Sequence, residues 1–152
     1  MAKSKKEIAY LHGKLDQFIE DQKLKPAKCM SDQAELWMRY ILYKLEIKGY
    51  RDYDQEGNLR MDVPATSVDG EEFDEEEFRS RVVVRALNIM KELRGSVYIG
   101  SRSPRSVAAA IIYISCVMVG VNITQYDVAQ ASDTSENTIA KIYREIKHEL
   151  KL

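Results

Sequence analysis

Ser103-Pro104-Arg105-Ser106-Val107-Ala108-Ala109-Ala110-Ile111-Ile112-Tyr113-Ile114-Ser115-Cys116-Val117-Met118-Val119 is the stretch that decides the fold. Ser103 is placed to cap a helix and Pro104 to open it, because the first helical residue needs no N–H. From Val107 onward almost every side chain is apolar or small. A helix without a polar face is stable only when other helices surround it. The three alanines let those neighbours approach closely. The run is interrupted by Ser115 and is too short to span a bilayer. It therefore reads as the central helix of a helical domain.

Gly120 is placed to close this helix. Downstream, Thr124 and Asp127 stand at the spacing of a capping box and start a short helix with Val128 and Ala129 inward. A turn over residues 131–134 leads to a last helix, capped by Asp133 or Ser135. Ile139, Ile142, Tyr143, Ile146 and Leu150 form its apolar stripe. Asn137, Thr138, Lys141, Arg144, Lys147 and His148 are left facing out.

Upstream, Phe78, Val82, Ala86, Ile89, Met90 and Leu93 mark the buried face of a helix over about residues 75–94, stopped by Gly95. Trp37, Tyr40, Ile41, Lys44 and Leu45 mark another over about 32–48. Ser31 or Asp32 caps that helix, Glu35 is the partner, and Gly49 is its stop. Ile8, Leu11, Leu15, Phe18 and Ile19 give a first amphipathic helix over about 5–25, ended by Pro26. Between residues 49 and 73 the helical period breaks. Tyr50 to Asp54 and Leu59 to Val63 pair as a hairpin around Gln55–Asn58, or the segment is a solvated acidic loop.

Composition excludes several classes. At 152 residues and 45% hydrophobic the chain reads as an ordinary soluble globular protein. Its basic first residues precede no secretory segment, so it is expected inside the cell. Two cysteines, Cys29 and Cys116, make neither a disulfide framework nor a zinc site, and no metal or cofactor is expected. His12 and His148 fall on different helices, and no catalytic triad or paired carboxylates stand at working distance, so the chain is not read as an enzyme. The net charge of −1 conceals a polarity. Residues 1–30 carry seven Lys against four acids, residues 51–78 two Arg against eleven acids, and residues 79–152 eleven cations against six acids. A basic C-terminal part is compatible with nucleic acid binding, although charge runs more often only solvate a face.

A short helix, a tight turn and a second amphipathic helix make a helix-turn-helix pattern. Small polar residues in the first turn (Ser135, Asn137, Thr138) and cations beyond (Lys141, Arg144, Lys147) suit DNA. Asn pairs with adenine, Thr touches a thymine methyl, and cations hold phosphates. Three segments then carry a resemblance: residues 101–113 (SRSPRSVAAAIIY), residues 124–129 (TQYDVA), and Ser135-Glu136-Asn137-Thr138-Ile139 leading to Tyr143-Arg144-Glu145. In this order and register they resemble the second cyclin-type repeat of transcription factor IIB, archaeal and eukaryotic. The match covers about half the chain.

The resemblance implies an all-α fold: a five-helix cyclin-like bundle ending in a helix-turn-helix, here with an extra N-terminal amphipathic helix. It implies a boundary between an extension, residues 1–30, and a cyclin-like domain, 31–152, that carries the acidic insert 49–73. It implies docking of the last two helices in the DNA major groove beside a TATA box, next to TATA-binding protein. Ser135, Asn137, Thr138, Lys141 and Arg144 are the residues carried over, with Lys147 beside them. Arg102 and Arg105, at the start of the central helix, are expected to add phosphate contacts. The implied partners are double-stranded DNA, TATA-binding protein and the RNA polymerase machinery, in the nucleoid of an archaeon or the nucleus of a eukaryote. Ala140 and Ile142 stand where the family often has basic residues. One repeat stands where the family has two, and the zinc-ribbon cysteines are missing, so a paralogue, viral homologue or regulator is expected, not a complete initiation factor. The competing reading is a cyclin-type adaptor that binds only protein. The first helix packs on its own domain, makes a homodimer, or fills a partner's groove.

Overall fold

The computed structural model describes residues 5–47, 49–53, 59–64, 75–94 and 102–152. Six helices appear among them: α1 (Lys5–Asp21), α2 (Met30–Lys44), α3 (Glu75–Leu93), α4 (Pro104–Val119), α5 (Gln125–Ser132) and α6 (Glu136–Leu150). The Gln55–Asn58 turn, the acidic residues 65–74 and the connector with its glycine stops at 95 and 100 lie outside the described residues.

α4 is the hub. It packs against α2, α3, α5 and α6, and Val107 through Ile112 are all buried. Ala108, Ala109 and Ala110 have no exposed surface, because each meets a neighbouring helix where a larger side chain would hold it off. Pro104 opens the helix as anticipated, but Ser103 makes no side-chain cap hydrogen bond. The buried Ser115 hydroxyl donates to the Ile111 carbonyl at 2.7 Å, which satisfies it within the helix. Gly120, at φ 90°, closes α4, and its N–H and that of Val121 both reach the Cys116 carbonyl. An L side chain is strained at that φ, so glycine is the residue that fits.

The insert between α2 and α3 contains an antiparallel hairpin, β1 (Gly49–Tyr53) and β2 (Leu59–Pro64). Tyr50 pairs with Val63 and Arg51 with Asp62, with a register irregularity at Asp52–Tyr53. The helical bundle thus carries a small β appendage.

Three helix boundaries differ from the sequence reading. α2 begins at Met30 with Cys29 in the N-cap position and no side-chain cap, so neither Ser31 nor Asp32 is the cap. The Asp32 carboxylate instead accepts from the Lys28 N–H at 3.3 Å. α2 also ends at Lys44, before Gly49. α1 stops at Asp21, ahead of Pro26, because Lys23 enters the left-handed region at φ 55° and the Leu24 N–H turns back to the Ile19 carbonyl.

The α2 C-terminus shows what replaces a glycine stop. Arg79 of α3 aims its guanidinium at the Leu42 and Leu45 carbonyls, orphan acceptors of the last turn, while Glu75 holds its other edge at 2.7 Å. A cation at a helix C-terminus is favoured by the macrodipole, and hydrogen bonds from a charged donor are the strong ones. Arg79→Ala is expected to cost roughly 1.5–3 kcal/mol. Urea unfolding checks this, and a loss below about 0.5 kcal/mol would mean that water caps α2 equally well.

Leu11, Leu15 and Phe18 of α1 are buried in the same hydrophobic core as Trp37, Ile41, Val82, Ile111 and Ile139. Phe18 meets Tyr40 edge-on at 5.5 Å. Leu11, Leu15, Phe18 and Ile19, from the stripe that prompted the homodimer alternative, therefore pack within their own chain. No helix among the described residues is long and apolar enough to cross a membrane.

Cys116 lies in the core, whereas Cys29 is exposed. Burial pushes the Cys116 thiol up to about 12, because the thiolate is disfavoured away from water. At pH 8 iodoacetamide is expected to take one equivalent per native chain and two in denaturant. Rapid uptake of two by the native chain would mean that α4 opens to solvent.

Candidate nucleic-acid interface

α5, the turn after it and α6 form the helix-turn-helix. Its first corner is a reciprocal capping box. The Asp127 N–H donates to Thr124 Oγ1 at 3.1 Å, and the Thr124 N–H donates to Asp127 Oδ2 at 3.0 Å. Both orphan donors are satisfied without glycine. The second corner uses Asp133 in the left-handed conformation, φ 52° and ψ 43°, as the C-cap of α5. Asp tolerates that region better than most side chains. Between the two caps the sequence allowed for α6, the structure chooses Ser135. Its Oγ accepts from the Thr138 N–H at 3.2 Å and lies 2.8 Å from Thr138 Oγ1.

The inner face of α6 is built from Ile139, Ile142 and Ile146, all buried against α4. Tyr143 and Leu150 flank them, half-buried, and the Tyr143 ring packs at a tilt against Tyr113, with ring centroids 5.2 Å apart. Opposite that face, at spacings of four, three and four residues, stand Asn137, Lys141, Arg144 and His148, all exposed. They share one outward line of the helix. His148 joins this line although sequence reasoning gave it no role.

The remaining predicted residues are divided among other tasks. Ser135 and Thr138 are engaged with each other at the cap, where α6 begins. Lys147 sits to one side, with its ammonium 5.2 Å from the Tyr143 ring centroid. Arg102 stands on the other side. One terminal nitrogen of its guanidinium lies 2.9 Å from each carboxylate oxygen of Glu145, tying the entry to α4 to the middle of α6. About a third of each side chain is exposed, so the pair is partly shielded from the screening that weakens surface ion pairs. Arg105 is half-buried over the Trp37 ring, its guanidinium carbon 5.9 Å from the centroid. Its Nε is buried and makes no hydrogen bond among the described residues. Desolvation lowers its pKa, and the Asp133 carboxylate pulls it partly back.

Nothing in the local sequence signals the Arg102–Glu145 or Trp37–Arg105 contacts, whose partners are far apart in the chain. The face is not uniformly positive either. Glu136, exposed in the first turn of α6, favours the helix dipole but opposes a phosphate there.

The family model of the transcription factor TFIIB repeat matches residues 73–149. Among curated proteins, the chain is 33% identical over 103 residues to transcription initiation factor IIB of Methanococcus maripaludis, covering 66% of this chain and 30% of the relative. The corresponding protein of Ignicoccus hospitalis is 31% identical over 68 residues, 45% of this chain and 22% of the relative. That of Methanosphaerula palustris is 35% identical over 72 residues, 47% and 22%. The chain thus spans between about a fifth and a third of the length of these relatives. No solved structure matches it. With half of its length matched, through every helix of the α3–α6 segment, the chain belongs to the transcription factor TFIIB repeat family.

Proposed function

We propose that the protein acts inside the cell in transcription initiation, as a single TFIIB-type repeat that docks on promoter DNA through α6. The observation that carries this reading is the outward line Asn137, Lys141, Arg144 and His148 on the second helix of a helix-turn-helix. Its cations meet phosphates along the groove wall, and the Asn137 amide near the helix N-terminus reads a base edge. Thr138 and the Ser135 cap lie where the helix end approaches the backbone. Lys147 adds a phosphate contact from the flank. Arg102 acts mainly by holding α6 through Glu145, and Arg105 by supporting the turn at Asp133. The relatives named transcription initiation factor IIB support partners drawn from the same machinery, TATA-binding protein and RNA polymerase.

The test is binding to a duplex carrying a TATA box and its upstream flank, with and without TATA-binding protein, over a range of salt. Salt-sensitive binding that prefers the flanked site supports the reading. Absence of binding at low salt, with or without TATA-binding protein, overturns it.

A further inference from the structure

The outer face of α3 carries residues that the α6 reading leaves unused. Val82 is buried and Val83 half-buried, but Val84 is 60% exposed. It stands between Arg81 and Arg85 on a stripe that also holds Glu77 and Asn88. Across from it, at the end of α4, Met118 is 42% exposed and Val119 half-buried. Together with Ser80 these residues line an open trough of about 570 Å³. None of its lining belongs to α5 or α6, and Met118 lies at the end of α4 opposite the Arg102–Glu145 fork.

Exposed Val and Met side chains facing each other across a groove are the kind of surface that an apolar anchor covers. The charges say what surrounds that anchor. Glu77 already pairs with Arg81, whose guanidinium also lies 5.3 Å from the Phe78 ring. Arg85 is exposed, and among the described residues that line the trough two arginines stand against one glutamate. We propose that the α3–α4 trough docks an acidic, apolar-anchored helical segment of a protein partner, with its anchor on Val84 and Met118 and its carboxylates on Arg85 and Arg81. A helix lying in such a groove presents anchors at i, i+3 and i+4, with charges beside them. Nucleic acid fits less well, because the floor is apolar and phosphates gain nothing from valine or methionine. The site goes beyond DNA docking and stands or falls separately from it.

The probe is a fluorescein-labelled synthetic helix-forming peptide with leucines at i, i+3 and i+4 and Glu or Asp elsewhere, titrated with the full chain. Val84→Asp/Arg85→Glu is expected to weaken binding at least about tenfold. A peptide with Gln and Asn in place of the acids is expected to bind at least about tenfold more weakly to the unaltered protein. Lys141→Ala/Arg144→Ala is expected to leave the peptide affinity unchanged, and Val84→Asp/Arg85→Glu to leave DNA affinity unchanged. Circular dichroism establishes that both variants fold, and Arg85→Glu alone, a surface change, provides the second variant. The proposal is overturned if the acidic peptide does not bind, or binds the trough variants equally. It is also overturned if the α6 variant loses the peptide, or if the trough variants lose DNA instead.

Discussion

Replacing Lys141 and Arg144 together with alanine is expected to lower affinity for duplex DNA roughly 60-fold at 0.1 M salt and only roughly 5-fold at 0.4 M. The figures follow from counterion release. Each cation that neutralises a phosphate contributes about −0.9 to the slope of log K against log salt, so removing two flattens the slope by about 1.8. A loss that shrinks with salt in this way identifies phosphate contacts, whereas damage to the fold lowers affinity at every salt concentration. Both side chains are exposed, and alanine is the better helix former, so α6 itself should not weaken. Asn137→Ala provides the contrast. Removing an amide that reads a base edge is expected to leave the slope unchanged and to reduce discrimination between sites by about 1–3 kcal/mol. Filter binding or fluorescence anisotropy at four salt concentrations distinguishes the two. A Lys141→Ala/Arg144→Ala variant with unchanged slope would remove α6 from the DNA interface.

Much of this candidate interface was legible in the sequence because its determinants are local. A capping box needs only Thr124 and Asp127 three residues apart, and the structure makes both of its hydrogen bonds. The inner face of α6 follows from isoleucine spacing, and the all-round apolarity of α4 predicts its central place. The local signals failed where a distant residue supplied the competing interaction. Gly49 looked like the end of α2, but Arg79, 34 residues beyond Leu45, reaches the last carbonyls and the helix stops at Lys44. Ser31 and Asp32 looked like caps, yet the helix starts earlier, at Met30, and takes Asp32 into its first turn. Arg102 and Arg105, at the start of the central helix, were expected to contact phosphates. Glu145, 43 residues away, engages the first, and Trp37 covers the second. The sequence pattern shows which face of a helix is outward, but not which outward charges are already spoken for by another element.

The second large effect is expected at Trp37, which lies outside the proposed DNA face. Trp37 is 2% exposed and lies where three elements meet. Tyr40 packs edge-on against its ring at 5.5 Å, His12 of α1 at 6.0 Å, and Arg105 of α4 rides over it. Trp37→Ala is expected to cost about 3–5 kcal/mol, through lost apolar burial and the cavity left between tightly packed helices. In a chain of this size that lowers the melting temperature by roughly 6–20 °C. The loss exceeds that of a neutral core site because Arg105 keeps its desolvated guanidinium and loses the aromatic face that attracts it. Trp37→Phe retains a ring and should recover most of the stability. The consequences extend to the interface, since Arg105 is also drawn to Asp133, the left-handed hinge between α5 and α6. Trp37→Ala at a temperature where it remains folded should therefore bind DNA more weakly with the salt slope unchanged, the opposite signature to Lys141→Ala/Arg144→Ala. A Trp37→Ala protein within about 1 kcal/mol of the parent would mean that the α1–α2–α4 junction relaxes to fill the gap and contributes little to holding the turn.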